Sequence, residues 1–93
     1  MWLSLDDQYD ISKDGYVMNT RTGKFLSPEV QAGQGYLRVR LYGKHKRIHR
    51  LVASRWLPAP TEEGLVVHHI DHNKMNNNVE NLMWVTQKWN CNN

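Results

Sequence analysis

The stretch VVHHIDHNKMNNNVENLMWVTQKWN, residues 66–90, carries the most specific pattern in this 93-residue chain. It predicts a strand over residues 65–70, which includes adjacent histidines, followed by an asparagine-rich loop over residues 71–81. A second strand is predicted over residues 82–85. Thr86 then fits the N-cap of a short helix, because its hydroxyl can accept a hydrogen bond from a free backbone N–H. The stretch therefore predicts a strand, a loop, a strand and a helix in succession.

The N-terminal residues predict short strands separated by tight turns. Asp14-Gly15 and Thr22-Gly23 are turn signals. They divide two short segments, residues 15–19 and 24–27, that are typical of strands. We therefore expect a small antiparallel sheet near the N-terminus.

The middle of the chain changes its period from that of a strand to that of a helix. Residues 36–42 alternate apolar and polar side chains, and Gly43-Lys44 can form a two-residue hairpin turn after them. In residues 47–57 the apolar side chains fall at helical spacing, and prolines at 58 and 60 end this helix. The whole chain, residues 1–93, thus predicts one α+β domain. The N-terminal sheet and helix occupy residues 1–60, and the strand–loop–strand–helix module occupies residues 65–93.

Composition excludes several classes of protein. A chain of 93 residues is one small domain, and a formal charge of +3 with a pI near 9.2 is only mildly basic. The single Cys91 cannot form an internal disulfide, which fits a reducing compartment. The chain contains no apolar run near 18 residues and no N-terminal signal pattern. We therefore expect a soluble intracellular protein that is not bound to a membrane.

The polar residues of the 66–90 stretch suit the hydrolysis of a phosphodiester. Adjacent strand residues point to opposite faces, so His68 and His69 are better placed to act as one ligand and one base than as two ligands. An imidazole can accept a proton near neutral pH. Asn90 lies one turn after Thr86, and its carboxamide oxygen is a hard ligand suited to Mg²⁺ or Mn²⁺.

These residues resemble the ββα-metal site of the HNH endonucleases, in particular the phage and intron-associated homing endonuclease branch. The matching text is HHIDHNKMNNNVENLMWVTQKWN. Upstream, YDISKDGYVMN and GYLRVRLYGKHKRIHRLVASRWLP are similar to the N-terminal module and the strand–hairpin–helix segment of that branch. The resemblance covers nearly the whole chain and implies metal-dependent hydrolysis of DNA. Many relatives continue into a DNA-binding tail beyond the position of Asn93, so we expect a short recognition footprint.

The resemblance also implies a role for each matching residue. His68 stands at the first metal ligand, often Asp or His in the family, and Asn90 stands at the second. His69 stands at the general base. Asn81 stands at the middle Asn of the motif, whose side chain pins the loop and so orients the base. The implied cofactor is one divalent cation, Mg²⁺ or Mn²⁺, and the imidazole at position 68 extends the choice to Zn²⁺ or Ni²⁺.

Cationic side chains next to aromatic ones predict a surface that contacts double-stranded DNA. The candidates are Arg38, Arg40, Lys44, Lys46, Arg47, Arg50, Lys74 and Lys88. One site per chain predicts a nick in one strand, and cleavage of both strands needs a homodimer or sequential nicking. The expected location is the cytoplasm, that of the host cell if a phage encodes the protein.

Purely structural roles are also open for several residues of the chain. The four loop asparagines are expected to form turns, His72 to be a solvated loop residue, and Trp56, Trp84 and Trp89 to belong to the core. His72 and Cys91 could instead contribute to a structural zinc site. At the level of function, the alternatives are an inactive DNA-binding module that keeps the fold and a metal-stabilised interaction protein that ignores nucleic acid.

Overall fold

A computed structural model describes residues 2–92 of the chain, and the side chains as far as Asn90. Within these residues the chain forms three small antiparallel sheets and two α-helices. In chain order the elements are β1 (Trp2–Ser4), β2 (Tyr9–Ser12), β3 (Val17–Asn19), β4 (Glu29–Val30), β5 (Leu37–Leu41), β6 (Lys44–Arg47), α1 (Ile48–Trp56), β7 (Leu65–His69), a 3₁₀ turn (Val79–Asn81), β8 (Leu82–Thr86) and α2 (Gln87–Asn92). The predicted α+β class is confirmed. Neither of these helices has the length and apolar character to cross a membrane.

The first sheet has the order β1-β2-β3, and its third strand covers most of the predicted segment 15–19. The strand predicted over residues 24–27 is wrong, because only the isolated bridge between Met18 and Phe25 forms there. Pro28 follows shortly after and has no N–H with which to extend a ladder of hydrogen bonds. The sheet therefore ends at β3.

The second sheet has the order β4-β5-β6, and its hairpin turn lies one residue earlier than predicted. Leu41 pairs with Lys44, so the two turn residues are Tyr42 and Gly43, with φ of 52° and 78°. A two-residue turn of this kind needs positive φ at both positions, and the glycine adopts it without steric strain. The alternation of β5 is as predicted, since Val39 is buried.

Helix α1 joins the two halves of the chain in one core. Ile48 and Val52 on this helix pack with Ile11 and Val17 of the first sheet and with Leu82 of β8. The indole of Trp56 lies partly buried on the same side of the helix and donates a hydrogen bond to the carbonyl of Ile11. A core that draws on both halves supports the proposal that residues 1–93 form one domain.

The C-terminal module has the predicted strand–loop–strand–helix order. Strands β7 and β8 pair along their full length, from Leu65 opposite Thr86 to His69 opposite Leu82. The backbone N–H of Trp89 donates to the hydroxyl of Thr86 at 3.1 Å, so the predicted N-cap of α2 is confirmed. This module is the ββα unit that carries the candidate site.

We expect Ile11→Ala to destabilise the entire domain, because the Ile11 side chain is fully buried in the shared core. The loss should be about 2–5 kcal/mol of unfolding free energy, measured by urea denaturation. Val30→Ala is the matched control: 53% of Val30 is exposed, so the change should stay within about 0.5 kcal/mol. Amide NMR signals from β2 and β8 should be lost over the same urea range. Separate transitions for the two strands would contradict a single domain.

Candidate active site

His68 and Asn90 meet where the end of β7 faces α2. The Nδ1 atom of His68 and the Oδ1 atom of Asn90 lie 3.2 Å apart. The His68 ring is buried, with Trp89 edge-on at 4.9 Å and His72 edge-on at 5.1 Å between ring centroids. Trp89 is 41% exposed and so covers His68 from outside, contrary to the prediction that it belongs to the core. The two residues expected to hold a metal are thus adjacent.

His69 is the next residue of β7, and its ring has different neighbours. Its Nε2 atom lies 2.8 Å from the side-chain oxygen of Asn77. The ring centroid of His49 is 5.0 Å away, and that of Tyr36 is 6.1 Å away. Because His68 contacts α2 while His69 contacts the loop and α1, the expected division between the two imidazoles fits the observed geometry.

Both histidines line a cavity of about 200 Å³. The residues around it are Tyr36, Val67, His68, His69, His72, Lys74 and Asn90. His72 has φ of 62° and turns its ring towards His68, so it is part of the cavity wall in addition to being an exposed loop residue. The cavity combines imidazole nitrogens, a carboxamide oxygen and an ammonium group, a set of polar groups suited to an anionic substrate.

Asn81 lies outside this cavity and braces the loop between the two strands. Its side-chain oxygen accepts a hydrogen bond from the N–H of Asp71, and its NH₂ donates to the Asp71 carboxylate and to the carbonyl of Asn76. These bonds tie the two ends of the loop together. The contact with His69 is made by Asn77 instead.

Two residues of the site were missed by the sequence interpretation. Asn77 was grouped with the turn-forming asparagines, yet it is only 4% exposed. His49 has no role in the sequence interpretation, yet it is buried in α1 with Val52 and Ala53. The spacing of His49, Val52, Ala53 and Trp56 by three and four residues is a signal that could have shown a shared buried face.

Burial keeps the inner histidines in their neutral forms. It lowers the pKa of His49 from 6.5 to about 3, with smaller contributions from the charges of His69, Arg50 and Arg47. Burial also lowers the pKa of His69, and the hydrogen bond between its Nε2 atom and the side-chain oxygen of Asn77 acts in the opposite direction and raises this pKa. The pKa of Asp71 is lowered because Asn76, the Asn73 backbone and Asn81 donate to its carboxylate. A neutral imidazole at position 69 has a free lone pair with which to accept a proton.

The cationic residues expected to bind DNA do not share one face. In the β5–β6 hairpin Arg38 is opposite Arg47, and Val39 is opposite Lys46. Directly opposed residues point to the same side of a sheet, so Lys46 shares the side of the buried Val39, away from Arg38. Arg38 is also engaged by Glu29 in an ion pair of 2.8 Å.

Three of the cations lie around the candidate site. Lys74 lines the cavity, with its ammonium 4.6 Å from the ring centroid of Tyr36. The Arg47 guanidinium lies 4.5 Å from the same centroid. Arg47 and Arg50 line an adjoining depression that also includes Asn90. Arg40, Lys44 and Lys88 are exposed, as a solvent-facing cation is expected to be.

The pair formed by His68 and Asn90 fits a divalent cation. Two ligands at right angles around an ion with bonds of about 2.1 Å stand about 3.0 Å apart, close to the observed 3.2 Å. One nitrogen and one hard oxygen accommodate Mg²⁺ or Mn²⁺ as well as softer ions. Among the described side chains no three from His, Cys, Asp and Glu form a metal-binding group. The Cys91 side chain, invoked for a structural zinc site, lies outside the described part.

Comparison with known proteins identifies the same module. The family model described as HNH endonuclease matches residues 46–91. The chain is 42% identical over 92 residues to the DNA endonuclease I-HmuI of Bacillus phage SP01, covering 95% of this chain and 52% of that protein. It is 41% identical over 92 residues to the uncharacterized HNH endonuclease L245 of Acanthamoeba polyphaga mimivirus, covering 95% of this chain and 27% of that protein.

The solved structure titled "DNA binding and cleavage by the HNH homing endonuclease I-HmuI" superposes with a TM-score of 0.86 at 40% identity. The match covers 99% of this chain and 56% of that one. The fold thus defines a ββα module, and the chain belongs to the HNH endonuclease family. It spans about half or less of the length of these relatives.

The burial of His49 should make the stability of the domain depend on pH. Below pH 6.5 the unfolded chain takes up a proton at this residue, whereas the folded chain does not until about pH 3. The folded state therefore loses stability as the pH falls through this window. Between about pH 7 and about pH 5 the wild-type protein should lose about 2 kcal/mol more unfolding free energy than His49→Phe. Equal losses in urea denaturation would contradict a buried neutral His49, and His45→Phe, at an exposed site, is the control.

Proposed function

We propose that this chain is a metal-dependent endonuclease module that hydrolyses phosphodiester bonds in DNA. The observation that carries the proposal is the convergence of His68, His69 and Asn90 on one cavity in a chain of the HNH endonuclease family. His68 and Asn90 offer two donor atoms 3.2 Å apart, and His69 offers a separate imidazole with a lowered pKa. Ligands and base are therefore distinct groups facing one space.

In this proposal His69 acts as the general base. Its neutral ring removes a proton from a water molecule, whose oxygen forms a bond to phosphorus as the bond from phosphorus to the 3′ oxygen breaks. The departing oxygen ends with a proton from solvent, so that the products are a 5′ phosphate and a 3′ hydroxyl. Burial favours the neutral imidazole that this step requires.

His68 and Asn90 would hold the cation in this proposal. When bound, a divalent ion neutralises charge that develops on the phosphate and on the departing 3′ oxygen. His68 would bind through Nδ1, the atom that faces the Asn90 oxygen. The bonds of Asn81 to both ends of the loop would keep β7 and β8 in register beneath this pair. Mg²⁺ or Mn²⁺ is favoured by the oxygen ligand, and Zn²⁺ or Ni²⁺ by the imidazole.

The cations next to the cavity would contact the backbone of the substrate strand. Lys74 lines the cavity itself, and Arg47 and Arg50 line the depression beside Asn90. Positive groups at these places attract phosphates on either side of the bond to be cut. One such site per chain acts on one strand, so we propose nicking by a monomer, with cleavage of both strands by a homodimer or by sequential nicks.

His69→Ala should abolish most cleavage of supercoiled plasmid in Mg²⁺ or Mn²⁺, because the variant lacks the imidazole that would deprotonate water. The expected decrease in rate is about 10²–10⁴-fold. His45→Ala is the control, since that imidazole is exposed and pairs with Glu29 away from the cavity. Full activity of His69→Ala would remove it as the base. The alternative is an inactive DNA-binding module. It would be favoured if the wild-type protein bound DNA in a salt-dependent manner that EDTA did not change, and cleaved it with none of the metals.

Asn90→Ala should weaken binding of Mn²⁺, measured by calorimetry without DNA, because it removes one of two donor atoms. Asn90→Asp should retain binding, since a carboxylate also offers an oxygen ligand. The expected weakening for the alanine variant is on the order of 10–100-fold, like that caused by loss of an orienting group. Equal affinity for Mn²⁺ in all three proteins would show that Asn90 is not a ligand.

A further inference from the structure

Asn77 is the buried hydrogen-bond partner of His69. Its side-chain oxygen lies 2.8 Å from Nε2 of the imidazole, and both residues are at most 5% exposed. A carboxamide oxygen has lone pairs but no proton to donate, so Nε2 must carry the hydrogen of this bond. In the neutral ring the lone pair is then left on Nδ1. The contact therefore selects which nitrogen of His69 is basic.

The side chains of Asn77 and Asn81 have different hydrogen-bond partners and therefore different roles in the loop. Among the described residues, the side chain of Asn81 bonds only within the loop, to Asp71 and to the backbone of Asn76. Asn77 is the residue after Asn76, and its side chain contacts the ring of His69. Asn81 thus fixes the course of the backbone, while the side chain that touches the imidazole belongs to Asn77.

The turn between β2 and β3 lies against residues 77–79 of the loop. The N–H of Val79 donates to the carbonyl of Lys13 at 2.8 Å, and the NH₂ of Asn78 donates to the carboxylate of Asp14. Between these bonds Gly15 faces Asn77. A Cβ atom at Gly15 would stand 3.0 Å from Cβ of Asn77, and it would also crowd α1 at 3.1 Å from a methyl group of Ile48.

We propose that Asn77 is a positioning residue that holds His69 in the tautomer protonated on Nε2, and that Gly15 makes the space in which it does so. The inference rests on the proposed function of His69 as the base. It makes the N-terminal sheet part of the catalytic apparatus, because the turn at Gly15 would act on the reaction through one amide side chain.

The tautomer can be read directly, without DNA or metal. Long-range ¹H–¹⁵N correlation spectra of the labelled protein at about pH 8 distinguish the two nitrogens of each neutral imidazole. In the wild-type protein His69 should show a proton on Nε2 only. In Asn77→Leu, which has similar size but no acceptor, it should show a mixture of tautomers. Asn77→Asp keeps an acceptor and should restore the single form. A single Nε2 tautomer in Asn77→Leu would overturn the proposal.

Cleavage kinetics supply the second readout. Asn77→Leu should lower kcat about 10–100-fold with KM unchanged, within the ~10²–10⁴-fold that a general base contributes. Asn77→Asp should have a kcat close to that of the wild-type protein, because its carboxylate also accepts the hydrogen bond. If Asn77 were needed only for packing, the aspartate would not restore kcat in this way. A loss confined to KM would overturn the positioning role. Full cleavage by His69→Ala would remove His69 as the base, the role on which this inference rests, whereas the spectra test the contact between Asn77 and His69 independently.

Gly15→Ala tests the support from the N-terminal turn. Its control is Gly23→Ala: both glycines have positive φ, 92° and 70°, but nothing lies within 4 Å of a Cβ atom at Gly23. Both variants carry the same kind of backbone strain, and only Gly15→Ala should displace Asn77. Gly15→Ala should give the mixed tautomers and reduced kcat of Asn77→Leu, with no further decrease in the double variant. Wild-type spectra and kcat in folded Gly15→Ala would overturn the role of Gly15.

Discussion

The contact between the β2–β3 turn and residues 77–79 is the constraint on which the rest of the structure depends. The turn contributes a carbonyl at Lys13 and a glycine at position 15, and the loop contributes the N–H of Val79 and the side chain of Asn77. Each hydrogen bond adds only about 0.5–1.5 kcal/mol. Their importance lies in their position, because they fix a long loop against a sheet that is distant in sequence. The loop segment that they fix includes Asn77, which contacts His69.

Burial of the imidazoles of His49 and His69 determines their protonation state. Transfer of a charged ring out of water is unfavourable, so the pKa of His49 and that of His69 are lowered by burial. The Nδ1 atom of His49 is buried without a hydrogen-bond partner among the described residues, which itself costs stability. Tyr36 stacks on the His49 ring at 4.9 Å and so gives it an aromatic neighbour in place of water. The packing therefore maintains neutral histidines next to the cavity at some expense in stability.

Local patterns predicted the elements of this fold better than they predicted its long-range contacts. Thr86 was identified as an N-cap because capping depends on residues three positions apart. The hairpin turn was misplaced by one residue because the strand register, which pairs Leu41 with Lys44, decides it. The burial of Asn77 had no local signal, since neighbouring asparagines look alike in sequence. Its contacts with His69 and with Gly15, which is 62 positions away in the numbering, distinguish it.

The register of the β5–β6 hairpin also limits what the basic residues can do. Because Lys46 lies on the side of Val39 and Arg38 on the other, a single flat duplex cannot meet all eight cations on one face. The cations that remain close to the cavity are Lys74, Arg47 and Arg50. Contacts from such groups to phosphates fix the position of a strand but carry no information about its bases. In the proposed function these three residues would place a phosphodiester beside His69, and the choice of a target sequence would require contacts of another kind.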